Sequence, residues 1–148
     1  GRKYDLDVKI VRVFNTYGPG MTRNDSRVIP KFLEQIKNNE ALTVEGKGTQ
    51  TRTFCYVVDL VRGILLVSEK GIQGEVYNLG SNTETQILGL ATLIKSLTKA
   101  KSIISFIERP EHDHKRRLPS LAKIKNLGWN PSLSLDEGLR RTIRWYGL

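Results

Sequence analysis

A chain of 148 residues is of single-domain length and can bury a core, and its apolar and charged shares, 39% and 26%, exclude a disordered or low-complexity protein. No apolar run approaches the roughly 18 to 20 residues of a membrane span, and Gly1-Arg2-Lys3-Tyr4-Asp5 lacks the apolar core of a signal peptide, so the cytoplasm is the expected compartment. The formal charge of +9 makes anions the expected company, whether phosphates, nucleic acid or acidic partners.

Val8 to Phe14 is dense in β-branched residues and ends at Asn15-Thr16-Tyr17-Gly18-Pro19-Gly20, which reads as a strand running into a functional loop. A strong strand this close to the start of a chain suggests that something precedes it. Pro30 sits where a first-turn proline is tolerated, and Phe32, Leu33 and Ile36 form the stripe of a helix that ends at Asn38-Asn39. Leu42-Thr43-Val44 is a short strand, Gly46-Lys47-Gly48 a turn, and Thr51 to Val57 a second strand. That second strand carries the single cysteine, Cys55, which excludes an intrachain disulfide and reads as a small buried hydrophobe rather than a nucleophile.

Leu60, Val61, Ile64, Leu65 and Val67 predict another helix, with Asp59 near its N-terminus, where a carboxylate favours the helix dipole. Glu75 to Gly80 is a strand, and Thr85 is placed to cap a helix striped by Ile87, Leu90, Ala91, Ile94 and Leu97. Ile103 to Ile107 is a further strand, and Glu108 to Arg117 a long charged loop. Leu121, Ile124 and Leu127 predict a short helix stopped by Gly128, and Ser134-Leu135-Asp136-Glu137 is a capping-box signature before the last helix. Mixed strands and helices without regular alternation argue for an α/β or α+β arrangement, one lobe of something larger.

Taken alone, Asn15-Thr16-Tyr17-Gly18-Pro19 is explained by an ordinary turn. The rest of the chain changes that reading: Arg27-Val28-Ile29-Pro30, Leu42-Thr43-Val44, Gly46-Lys47-Gly48-Thr49-Gln50-Thr51-Arg52, Val57-Val58-Asp59-Leu60, Tyr77-Asn78-Leu79-Gly80, Arg109 to Arg117 and Leu127-Gly128-Trp129 follow in order. This series, from Val8 to Tyr146, resembles the C-terminal portion of the NAD-dependent epimerase/dehydratase family, the extended short-chain dehydrogenases/reductases that act on nucleotide sugars. Within that group Met21 to Val28 and Gln50 to Phe54 look most like UDP-glucuronate decarboxylases, with UDP-glucose 4-epimerases and dTDP-glucose 4,6-dehydratases as alternatives. Typical epimerases favour tyrosine where Phe54 stands. Decarboxylases tend to lack an arginine at Arg109, and many relatives carry Asp at Ser120.

The resemblance implies a fold class: α/β, the substrate-binding lobe of a Rossmann-type enzyme whose dinucleotide-binding half lies upstream, with residues 1–148 as one partial domain. It implies that Asn15 contacts the substrate's phosphate or sugar and that Thr16, Thr22 and Arg27 reach the NAD cofactor. Leu42 and Val44 would line the nucleobase slot of a UDP- or dTDP-sugar, since a base wants an apolar wall with a few polar contacts. Arg52 is the expected pyrophosphate clamp, because a guanidinium holds two phosphate oxygens at once and stays charged; a solvated strand-edge cation is the competing reading. Arg109 would be a second phosphate ligand and Asp113 a ribose or arginine-positioning partner. Lys115-Arg116-Arg117 is open between phosphate contacts and a solvated face. Capping explains Asp59 better than acid–base chemistry.

The family holds NAD on a glycine-rich turn at a helix N-terminus, and no Gly-x-Gly-x-x-Gly or Gly-x-x-Gly-x-x-Gly occurs in this sequence. Its Tyr-x-x-x-Lys pair, in which lysine lowers the tyrosine pKa for proton abstraction, is also absent: none of the five tyrosines has lysine four residues on. The expectation is a portion that grips substrate within a larger enzyme, inactive by itself, from a parent that is a homodimer. Its uncovered face should be partly apolar. His112 and His114 flank Asp113 without visible further ligands, so no metal is expected. A basic nucleic-acid-binding module is the alternative from another class, disfavoured because Lys and Arg are spread along the chain, and a stand-alone interaction or regulatory domain derived from an enzyme is a third.

Overall fold

The computed structural model describes residue 4 and residues 6–22, 25–110 and 115–148. Among these residues the strands form four pairs. β1 (Ile10–Val13) runs parallel to β6 (Val76–Leu79), β2 (Thr16–Tyr17) parallel to β5 (Cys55–Tyr56), and β3 (Leu42–Glu45) parallel to β8 (Ile104–Ile107). β4 (Thr51–Thr53) pairs antiparallel with β7 (Glu84–Gln86). Parallel partners require crossovers, which here contain helices: α2 (Val57–Lys70) between β1 and β6, and α3 (Ile87–Thr98) between β3 and β8. α1 (Val28–Lys37), α4 (Ala122–Asn126) and α5 (Leu135–Tyr146) complete the fold.

Two apolar clusters hold these elements together. In the first, Phe32 and Leu33 of α1, Leu42 and Val44 of β3, Leu90 and Ile94 of α3 and Leu139 of α5 have no exposed surface. Full burial of side chains this size contributes about 1.5–3 kcal/mol each before entropy is subtracted. The second cluster joins Leu60 and Val67 of α2 to Tyr77 and Leu79 of β6 and to Leu121, Ile124 and Trp129 around α4. β2 is clamped to α5: the Tyr17 hydroxyl donates to the Leu135 carbonyl at 3.3 Å, and a Cβ on Gly138 would stand 2.1 Å from that hydroxyl oxygen. Only glycine lets the helix approach so closely.

Several local expectations change. The strand expected from Thr51 to Val57 breaks at Phe54, because its first part pairs with β7 and its second with β2, and Val57 already opens α2. Thr85 is a strand residue opposite Arg52 and not a cap; α3 begins after Gln86, whose side chain makes no capping bond. The loop after β1 contains the two-residue strand β2. Asn39 ends α1 by taking the left-handed conformation, φ 58°, which asparagine tolerates. Ser134 does cap α5, accepting from the Glu137 amide at 3.3 Å, while the Glu137 carboxylate binds Arg141 at 2.8 Å.

Asp59 serves the fold in another way than capping. The residue is 2% exposed, and its carboxylate accepts from the amides of Ser132 and Leu133, both at 2.9 Å, from the Ser132 hydroxyl at 2.8 Å and from Arg62 at 3.0 Å. Its own carbonyl accepts from the Trp129 indole at 3.0 Å. Asp59 therefore fastens α2 to the loop between α4 and α5. Burial pushes its pKa up, and the Leu133 and Ser132 donors with Arg62 more than reverse this, leaving it below the usual carboxylate range.

Candidate functional site

A cleft of about 450 Å³ opens between the β1–β2 loop, the first turn of α1, β3 and β4. Four sequence-predicted residues, Asn15, Thr16, Arg27 and Arg52, lie on its wall. The pairing of β2 with β5 sets the first two: the Asn15 carbonyl accepts from the Cys55 amide at 2.9 Å, and the Thr16 hydroxyl donates to the Phe14 carbonyl at 2.9 Å. Beneath them Tyr17 is buried and meets Phe54 and Tyr56 edge-on, with ring centroids 6.4 and 5.7 Å away. Burial pushes its phenol well above the ordinary tyrosine range, with Cys55, Tyr56 and Asp59 acting in the same direction, so Tyr17 is a neutral donor. The Cys55 thiol is pushed up to about 12, first by burial and then by Asp59, and this suits a core residue rather than a nucleophile.

The first turn of α1 carries no acidic residue, and Arg27, Val28, Ile29, Pro30 and Lys31 all border the cleft. The positive end of the helix dipole and two cations, Arg27 and Lys31, thus border it. Arg27 is pinned by Asp25, which accepts from the Arg27 amide at 2.9 Å and from Nε at 2.7 Å. These bonds hold the Asp25 carboxyl below its usual pKa, the Arg27 side chain first and its amide second.

β3 presents the opposite residues from those expected. Leu42 and Val44 have zero exposure and belong to the core, so Thr43 and Glu45, their neighbours on the other face, border the cleft. The core lies on the α1 and α3 side of this strand, and period-2 alternation does the rest. Thr22 is exposed outside the cleft. Arg109 packs over the Gly46 turn, its Cβ 3.4 Å from where a Gly46 Cβ would stand, and is not a wall residue. Asp113, with His112 and His114, lies outside the described residues.

Wall residues not singled out as site residues in the sequence include Lys31, Thr43, Glu45 and Gln50, which donates to the Glu45 carbonyl at 2.9 Å. Arg117 borders the cleft as well, which divides the Lys115-Arg116-Arg117 run between the two readings left open for it. Among the described wall residues, Arg27, Lys31, Arg52 and Arg117 face one carboxylate, Glu45. Phe54, Ile87, Val28 and Met21 supply apolar surface. Cations beside an apolar slot suit an anion joined to a flat ring, the chemistry of a nucleotide.

The chain belongs to the NAD dependent epimerase/dehydratase family, which it matches over residues 1–80. It is 44% identical over 142 residues to UDP-glucuronic acid decarboxylase 1 of Danio rerio, covering 95% of this chain and 34% of that protein. Its structure matches UDP-glucose 4-epimerase of Thermotoga maritima, solved with UDP-glucose, at a TM-score of 0.92 and 32% identity, over 99% of this chain and 48% of that one. A dTDP-glucose 4,6-dehydratase of Streptomyces venezuelae, solved with NAD, matches at 0.90 and 32%, over 99% and 45%. The fold is thus the α/β, Rossmann-type fold of the extended short-chain dehydrogenases/reductases, and the chain spans about a third of that curated relative and just under half of those solved chains. No helix among the described residues is long and apolar enough to cross a membrane.

Proposed function

We propose that this chain is the substrate-gripping portion of an NAD-dependent nucleotide-sugar enzyme, of the UDP-glucuronate decarboxylase type. The observation that carries the proposal is the gathering of Asn15, Thr16, Arg27 and Arg52 on one cationic cleft wall. Arg52 and Arg117 hold the diphosphate, Asn15 reaches the phosphate or sugar, and the base lies against Phe54, Ile87 and the Thr43–Glu45 face of β3. The identity to the zebrafish decarboxylase over nearly the whole chain favours UDP-glucuronate. The two solved relatives, an epimerase and a dehydratase, support the second reading, in which another sugar at the same site is epimerised or dehydrated.

NAD fits this chain at one end only. Thr16 and Arg27 offer a hydroxyl and a pinned cation on the cleft wall, whereas the sequence holds no Gly-x-Gly-x-x-Gly or Gly-x-x-Gly-x-x-Gly turn to cradle a pyrophosphate. NAD, when bound, supplies hydride acceptance. The residues here orient the sugar and neutralise the diphosphate.

Calorimetric titration of the complete gene product with UDP, UDP-glucuronate, UDP-glucose and dTDP, with NAD present, tests the proposal. UDP should bind saturably, and Arg52→Ala should weaken it at least about tenfold, as expected on removal of a charge-assisted phosphate contact. Equal binding by wild type and Arg52→Ala would reject the site. The tightest sugar nucleotide chooses between the readings.

A further inference from the structure

Of the three arginines on the described cleft wall, Arg52 and Arg117 come from different segments that are joined edge to edge. β4 has β7 on one side; on the other, the Thr51 amide donates to the Lys115 carbonyl at 3.1 Å, and Thr51 bridges Arg116 in parallel register. Strand alternation then sorts the side chains. Thr51 and Arg116 share one face, and Arg52 and Arg117, each one residue further on, share the other, where both border the cleft.

On the face away from the cleft, one carboxylate spans the ribbon. Glu84 of β7 stands opposite Thr53 of β4, on the same face as Thr51. Its Oε1 accepts from the Thr51 hydroxyl at 2.6 Å and from Arg116 Nε at 2.8 Å, and its Oε2 accepts from Arg116 Nη2 at 2.6 Å. The guanidinium is held side-on by both oxygens, the arrangement that fixes direction as well as distance. Hydrogen bonds from Arg116 and then Thr51 bring the Glu84 carboxyl down to about 2, so the contact persists throughout the neutral range.

We infer that Glu84 is a positioning residue for anion binding: by tying Thr51 and Arg116 together behind the ribbon, it sets Arg52 and Arg117 side by side as a two-arginine clamp for a diphosphate. Glu84 itself does not line the cleft. This rests on the nucleotide-sugar reading of the cleft and adds what aligns its cations. The inference carries an unusual sign. Removing a carboxylate beside an anion site makes the region more positive, and simple electrostatics would then tighten anion binding. A lost clamp weakens it.

The test is calorimetry on the complete gene product with UDP, and with NAD as the reference ligand, for wild type, Arg52→Ala, Arg117→Ala, Glu84→Gln and the charge swap Glu84→Arg with Arg116→Glu. Glu84→Gln should weaken UDP about tenfold, comparable to one charge-assisted contact, leave NAD affinity and Tm unchanged, and be largely rescued by the swap. If Arg52→Ala loses UDP while Glu84→Gln binds it as tightly as wild type or tighter, the positioning role is wrong and the cleft reading stands. If Glu84→Gln weakens UDP and NAD alike or lowers Tm, or if the swap recovers nothing, the carboxylate is merely structural. Arg52→Ala that binds UDP normally would remove the cleft reading and the clamp together, and Arg117→Ala that does so while Arg52→Ala loses UDP would remove the clamp alone.

Discussion

β3 and β1 are both four-residue parallel strands, each with one partner among the described residues and each carrying at least two aliphatic side chains, yet they end in opposite environments. Leu42 and Val44 of β3 lie under α1 and α3 with no exposure; Ile10 and Val13 of β1 are 48% and 53% exposed. The helix beside each strand repeats the contrast. α3 buries Ile87, Leu90, Ala91 and Ile94, whereas α2 leaves Val58, Val61 and Leu65 exposed. Aliphatic content is therefore not what buries a strand: a second layer does, and the described residues provide one for β3 and only part of one for β1. The cleft lies against the well-covered side, where its walls are held from behind.

The contrast can be broken at its strongest point. Phe32→Ala should cost about 3–5 kcal/mol in urea denaturation, because it opens a cavity in the first cluster, whereas Val61→Ala on the open face should stay within about 0.5 kcal/mol. Equal losses would mean that the open face is packed in solution. Asp59→Ala should cost about 2–3 kcal/mol, since it leaves the Ser132 and Leu133 amides without their acceptor. The folded Asp59 pKa is depressed, so its contribution is present above the ordinary carboxylate pKa near about 4 and is lost as the pH falls below it. Wild type should lose stability through that range more steeply than Asp59→Asn, and parallel pH profiles would contradict the assignment. The smallest effect concerns association. A polypeptide of these 148 residues alone should self-associate through β1 and α2, and Val13→Lys with Leu65→Lys should shift sedimentation toward monomer with little change in Tm. A wild-type polypeptide that stays monomeric when concentrated would show that this surface is not adhesive.

Much of the fold was legible because it is written in local periodicity. The stripes of α1 and α3, the Ser134 cap of α5 and the β-branched run of β1 each lie within a few consecutive residues, and the physics that reads them is equally local. The order of short motifs was enough to point to the family. β2 and β7, at two and three residues, have no periodicity to detect and exist because a partner strand satisfies their backbone.

Alternation along β3 determines that Leu42 and Val44 share a face and that Thr43 and Glu45 share the other, but not which pair meets the ligand. That depended on where α1 and α3 deposit their apolar stripes. The same holds for Arg116 and Arg117, neighbours of one charge that the bridge to Thr51 sends to opposite faces, and for Asp59, whose amide donors on Ser132 and Leu133 lie more than seventy residues away. Sequence by itself determined the longer helices and strands and which of their residues share a side. The tertiary structure alone decided which side became core and which became cleft, because that choice is made by packing between segments far apart in the chain.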